Sequence, residues 1–289
     1  MRPSSPDRAT RPSVVAREIP GEVVYGGREA MNSDPEKKPS LRIATWNIGG
    51  GFIASTADVY DVPALDYFVQ QLDPLDCDLV CLQEVHEPSS PVESGQASYL
   101  AERLRFPYHT VKPISPSHLE PNQMLSLAIL SRYAISSTRY TQLTNPHLEA
   151  IGPGGRLWHT FDKGFLCGFA ALGDQQFHVI CGHAVPFHIF KRDFMDPAFS
   201  NIRSEVEDVI LCDASPGLVA ADLNYADIRS LIPRVLRAGY ESGLANEPTS
   251  RDHLKLDDIL ASRDWKFLGH KVVPTQADHH LCFADVRLR

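Results

Sequence analysis

From Leu41 onward the chain is built of short apolar runs of strand length, and most of them stop on a polar or acidic residue. Leu41-Arg-Ile-Ala-Thr-Trp-Asn47 alternates and then meets Gly49, Gly50 and Gly51, while Asp78-Leu-Val-Cys-Leu-Gln-Glu84 is apolar until its last two positions. Phe177, Val179 and Cys181 alternate before His183, Gly217-Leu-Val-Ala-Ala leads into Asp222 and Asn224, and Asp278-His279 precedes the last run. Alternation punctuated by glycine reads as strands. Further strands are expected at 126–130, 134–142, 164–172, 256–261, 266–273 and 281–287. Between them, Leu65, Phe68, Val69 and Leu72 recur at helical spacing within 63–72, as do Ile202, Val206, Val209 and Ile210 within 201–212. Helices are also expected near 98–104 and 228–238. Strands and helices mix without strict alternation, and there is no internal repeat or second linker, which implies one α/β domain on two sheets.

That domain spans 41–289. Residues 1–40 are rich in Pro, Ser and Arg without hydrophobic period, and are expected to be a disordered leader. Met31 leaves open a translation start there, whereas Asp7, Glu18, Glu22 and Glu29 interrupt the arginines in a way that disfavours an organelle presequence. The whole chain carries −8, and removing a leader of seven Lys/Arg and six Asp/Glu leaves −9 on the rest. A generally basic, nucleic-acid-coating protein is excluded, although a locally basic groove is not. No run approaches the ~18 apolar residues of a membrane span, and no secretory apolar core precedes the domain. A cytoplasmic protein without a transmembrane segment or obligate protein partner is expected. The six cysteines lack zinc-type spacing and read as reduced core residues.

Polar side chains at strand ends collect on one rim of a sheet, where active sites form. Carboxylates and an amide oxygen converging there suit a hard, oxygen-liking cation such as Mg²⁺ or Mn²⁺. No GxSxG or Cys/His nucleophile signature is present.

Seven short motifs then carry a resemblance: Ala44-Thr-Trp-Asn-Ile, Leu82-Gln-Glu, Ala128-Ile-Leu-Ser-Arg-Tyr, His183-Ala-Val-Pro, Asp222-Leu-Asn224, Asp257-Asp-Ile-Leu and Asp278-His279. In this order they resemble the endonuclease/exonuclease/phosphatase superfamily over 41–289. The resemblance implies a four-layer α/β/β/α sandwich with two central mixed sheets and divalent-metal-dependent hydrolysis of a phosphate ester. It implies Glu84 as principal metal ligand, with Asn47 and Asp278 beside the metal. Asp222 resembles the base that deprotonates the attacking water, with Asn224 holding it. His279 resembles the histidine on the scissile phosphate, and Asp257 its carboxylate partner, preferred over Asp258 because two apolar residues follow at the family's spacing. His183 is similar to a general acid or phosphate ligand of the pancreatic-type deoxyribonuclease branch. Asn122 and Lys163 are candidates for substrate contact, Lys163 standing where the superfamily often has arginine. Asp252-His253 reads as a solvated loop, and His159 and His178 as core histidines.

The chain departs from the superfamily pattern at Ala221 for Gly, Gly182 for Thr or Ser, Ala277 for Ser and Leu281 for Pro. Gly49 stands where some repair-type members carry an acid. The substrate expected is a phosphodiester in a nuclease-like reaction, nucleic acid included. Alternatives are a small-molecule or lipid phosphatase of inositol phosphate or sphingomyelin type, and a non-catalytic binding module. Phe187, Phe190, Phe194 and Phe199, interleaved with Lys191 and Arg192, read either as a stacking surface or as packing beneath a long loop, the latter preferred.

Overall fold

The computed structural model describes residues 40–56, 59–90, 94–152 and 155–289. The expected leader lies outside the described residues, apart from Ser40, which opens the first strand. In chain order the strands are β1 (Ser40–Asn47), β2 (Phe52–Ala54), β3 (Tyr60–Pro63), β4 (Leu79–Pro88), β5 (Tyr108–Pro116), β6 (Gln123–Ser131), β7 (Ser136–Gln142) and β8 (Glu149–Ile151). They continue as β9 (Leu157–His159), β10 (Gly164–Leu172), β11 (Gln175–His183), β12 (Gly217–Asp222), β13 (Glu241–Ser242), β14 (Asp257–Ala261), β15 (Trp265–Val273) and β16 (Leu281–Leu288). The α-helices are α1 (Leu65–Leu72), α2 (Gln96–Arg103), α3 (Ser200–Ile210), α4 (Ile228–Leu231) and α5 (Pro233–Arg237).

Two six-stranded sheets dominate, ordered β15-β16-β1-β4-β6-β5 and β13-β14-β12-β11-β10-β7. Each is mainly antiparallel but carries one parallel pair near its middle, β1 with β4 and β11 with β12. The period of two along these strands assigns every side chain to one of two faces. Leu41, Ile43, Leu79 and Cys81 of the first sheet meet Phe177, Val179, Leu218 and Ile259 of the second, forming the core between the sheets. On the opposite face of the first sheet, Ala44, Trp46 and Val80 pack against Phe68 and Leu72 of α1 and Leu100 of α2. Behind the second sheet, Ile180, Val219 and Leu260 pack against Ile202, Val206 and Val209 of α3 and Val235 of α5. The result is the four-layer α/β/β/α sandwich.

Helix α1 forms where the i, i+3, i+4, i+7 stripe demands it, and its Phe68 ring lies 4.6 Å from that of Trp46. The expected helix at 228–238 is divided in two. Pro233 has no N–H for the helical ladder, so it starts α5 rather than continuing α4. Strand β5 has no counterpart among the sequence expectations: it is a largely exposed edge strand, interrupted by Pro113 and a register shift, so it lacks an apolar face to announce it. Among the described residues no helix is long and apolar enough to cross a membrane. Cys77, Cys81, Cys167, Cys181 and Cys282 are buried and free; Cys212 is free but exposed, which corrects its reading as a core residue.

Candidate active site

The parallel pair of each sheet delivers its carboxyl ends to the same rim. In the first sheet Asn47 is in register with Gln83, and in the second His183 is in register with Asp222. Along β1, β11, β12 and β14 the residues facing the inter-sheet core share parity with Asn47, His183, Asp222 and Asp257. The four side chains therefore meet in the gap where the apolar core ends. Asp258, one residue on, faces the other way, where Lys255 Nζ lies 2.6 Å away and Ser242 donates to it.

Glu84 breaks the alternation. Strict parity would send it toward the helices, but the pairing of β4 with β6 shifts between Leu82 and Val85, and Glu84 adopts φ 53°. This bulge turns the carboxylate into the rim cavity. A left-handed conformation at a non-glycine residue costs about 1–2 kcal/mol and marks a position held by its surroundings.

The cavity has a volume of about 500 Å³, and its lining includes Asn47, Glu84, Lys163, His183, Asp222, Asn224, Asp278 and His279. Asp222 is at the centre. Its Oδ2 accepts from Asn47 Nδ2 at 3.1 Å and lies 3.3 Å from His183 Nε2 and 3.7 Å from His279 Nε2. Its Oδ1 accepts from the Asn224 N–H at 3.0 Å, while Asn224 Nδ2 donates to the Ala184 carbonyl. His279 Nδ1 is 2.8 Å from Asp257 Oδ2, and Thr249 Oγ1 accepts from the Asp257 N–H. Lys163 Nζ lies 3.2 Å from Glu84 Oε1 and 3.0 Å from His183 Nε2.

Burial and charge tune these groups in opposite directions. Burial pushes the Asp222 carboxyl up to about 7 against the pull of His279, with the Asp257 charge adding to the rise. Burial would lower His279, but Asp257 and Asp222 overcome it and hold the imidazole well above its ordinary value, in the charged form. His183 goes the other way, kept neutral by burial and by the Lys163 ammonium. Glu84 resists a raising effect of burial because Lys163, His183 and His118 hold it down to about 2. Burial also raises Asp278, to which Tyr60 is hydrogen-bonded.

Asp222, Asp257 and His279 bring possible ligand atoms within 4.8 Å of one another. The direct bond between His279 and Asp257 commits those atoms to each other, so this trio reads as a carboxylate–imidazole pair beside a base. The hard oxygen donors left are the Glu84 and Asp278 carboxylates and the Asn47 Oδ1, which already accepts from the Gly49 N–H at 3.0 Å. The Glu84, Asp222 and Asp278 carboxylates line the cavity with Lys163 and His279, while Asp257 backs His279. The residues fit a divalent cation of the Mg²⁺ type.

Two sequence expectations fall elsewhere. Asn122 is not part of the cavity lining: it is exposed in a turn at φ 62°, its carbonyl accepting from the Ser89 N–H, because a polar residue ahead of β6 is needed there to make the bend. His159 is not in the core but exposed on β9 at the cavity edge, whereas His178 is buried against Phe169. Asp252, in an exposed loop as expected, also borders the cavity. His118, Arg156 and His188 line it too and were not singled out, since each lies in a connecting segment with no strand pattern to aim it. Phe187 and Phe194 are buried beneath their loop in the outer core.

A Ser-His-carboxylate grouping lies outside the cavity. Ser117 Oγ is 2.8 Å from His86 Nε2, and Glu120 is 3.5 Å from Nδ1. The Ser117 oxygen also accepts from the Leu119 and Glu120 N–H groups, so its lone pairs serve a turn and not a nucleophile.

Comparison with known proteins agrees with this architecture. Residues 44–279 match the Endonuclease/Exonuclease/phosphatase family. No curated protein matches the sequence. Among solved structures, an endonuclease/exonuclease/phosphatase from Beutenbergia cavernae is 17% identical with a TM-score of 0.67, covering 86% of this chain and 72% of its own. The human Nocturnin catalytic domain with bound sulfate is 17% identical at TM-score 0.59, covering 87% of this chain and 96% of its own. A mannosyl-6-phosphatase from Bacteroides thetaiotaomicron is 14% identical at TM-score 0.55, covering 85% and 99%. Seven motifs in order, the two-sheet sandwich and a match across most of the chain agree that this protein belongs to the endonuclease/exonuclease/phosphatase family of phosphoesterases.

Proposed function

We propose that the protein hydrolyses a phosphodiester by in-line attack of water, with a divalent cation such as Mg²⁺ or Mn²⁺ held by Glu84, Asp278 and Asn47. The observation that carries this reading is the position of Asp222, bonded by Asn47 and Asn224, flanked by two histidines of opposite protonation, and raised to about 7. A carboxylate poised near neutrality takes a proton from water efficiently. As the new O–P bond forms and the ester O–P bond breaks, that proton passes to Asp222. His279, charged and oriented by Asp257, donates to a non-bridging phosphate oxygen, and Lys163 adds positive charge on the side of Glu84. His183 is neutral and sits between Lys163 and Asp222, so its imidazole can take over the proton gained by Asp222 as it gives its own N–H proton to the departing oxygen. That oxygen leaves protonated, and the Asp222 carboxylate is restored. The cation, when bound, supplies Lewis-acid polarisation of the phosphoryl group.

A panel of bis(p-nitrophenyl) phosphate, single- and double-stranded DNA, RNA, an inositol phosphate and sphingomyelin, assayed with Mg²⁺, Mn²⁺ or EDTA, tests the reading. At least one diester should be cleaved with metal and not with EDTA, and D222N should lose roughly 10²–10⁴ in kcat. H279A, prepared in parallel, controls for contaminating hydrolases. Turnover that survives both D222N and EDTA would refute the proposal. A phosphatase acting on small molecules is the second reading, favoured by the limited volume of the cavity.

A further inference from the structure

Several of the large apolar side chains exposed on the surface belong to the catalytic cavity. Leu157 and Trp158 of β9, Ile189 and Leu254 are 57%, 39%, 42% and 42% exposed, and all four line the cavity. Large apolar side chains are usually scattered singly over a surface, so four lining one cavity are a feature to be explained. Trp158 is also held in place. Across the β8–β9 hairpin, a Cβ at Gly152 would come within 2.3 Å of the Trp158 ring, so the indole rests on a position that only glycine leaves open. Glu84, Lys163, His183 and His279 line the same cavity, so it combines charged groups with exposed apolar ones.

We propose that these side chains form a specificity subsite for the organic arm of the substrate: the enzyme selects small phosphate esters bearing a flat or bulky apolar arm, which packs on Trp158 and Leu157 while the phosphate sits by Glu84 and His279. This rests on the phosphoesterase reading above and narrows its substrate class. A cavity of about 500 Å³ accepts one such arm together with its phosphate. The arm could be a nucleobase, for which a tryptophan is a stacking platform, or a short alkyl chain, which the flanking leucines and isoleucine suit equally.

Tryptophan fluorescence tests this independently of turnover. The chain has three tryptophans; Trp46 and Trp265 are 0% and 1% exposed, so Trp158 is the one a ligand can reach directly. The full-length protein with Mg²⁺ is titrated with methylphosphonate, phenylphosphonate and hexylphosphonate, following emission, with W158F as the control for signal origin. Calorimetric titrations of W158A and L254S supply the affinities. Phenylphosphonate or hexylphosphonate should bind roughly tenfold tighter than methylphosphonate, from burial of the added apolar surface. W158A or L254S should bring that ratio to within about twofold. A stronger phenyl than hexyl response assigns the subsite to planar arms, and the reverse assigns it to alkyl chains. Equal affinity for methyl and apolar phosphonates in the parent protein, or an unchanged ratio in both variants, overturns the subsite and leaves the phosphoesterase reading standing. No binding of any phosphonate, together with no turnover across the substrate panel, overturns both.

Discussion

At the scale of single residues, the site works by separating the protonation of groups that touch. His279 and His183 both approach the Oδ2 of Asp222, yet one is held charged and the other neutral, because Asp257 backs the first and Lys163 faces the second. The folded state raises His279 above its unfolded value near 6.5. Its contribution to stability is thus complete below that value and is lost as pH rises through the folded one. The charged donor needed for catalysis disappears over the same range. D257N should move the His279 titration, followed by NMR, and the basic limb of the rate profile to lower pH, with a loss of roughly 10²-fold in kcat. An unmoved titration would show that Asp257 does not set the charge on His279. Glu84 makes a separate claim, because its left-handed backbone is strained for any side chain. E84G and E84A should both be inactive, but E84G should be more stable to urea by about 1 kcal/mol, since glycine adopts that conformation without steric cost.

At the scale of elements, two departures from the family pattern, Gly182 and Ala221, share a local packing reason. Gly182 is in register with Phe165, and a Cβ there would stand 2.1 Å from the phenyl ring and 3.0 Å from the Ala221 side chain. Phe165 occupies the space that a Thr or Ser would fill, and Ala221 sits against the same spot. G182A should therefore cost about 1–3 kcal/mol through overpacking. F165L should recover part of that loss in the double variant, because the two positions share one volume. Purely additive unfolding free energies would reject the coupling. Most of the central elements were legible from hydrophobic period. The edge strand β5 and the hairpin β8–β9 were not, because edge strands and surface hairpins lack a buried face to impose alternation. The division of 228–238 was a missed signal, since Pro233 is visible in the sequence.

At the scale of the molecule, one core joins the two sheets and the catalytic rim is its upper boundary. Phe177 is fully buried there, edge-on to Trp265 at 5.3 Å. F177A should cost about 3–5 kcal/mol. Because both sheets depend on that core, circular dichroism and tryptophan fluorescence should report a single coincident unfolding transition in parent and variant. Two separated transitions would mean that the sheets unfold independently. Strand period and the polar residues closing apolar strands determine, from the sequence alone, one α/β domain on two sheets with a rim rich in carboxylates and histidines, since strand period and burial are local properties. The four-layer sandwich is what the resemblance of its ordered motifs implies. Tertiary structure alone decided three things. The bulge that re-aims Glu84 depends on the pairing of β4 with β6, and Asn122 left the site because its turn is outside the cavity. Leu157, Trp158, Ile189 and Leu254 come from segments nearly 100 residues apart, and only the folded chain brings these exposed side chains into the lining of one cavity.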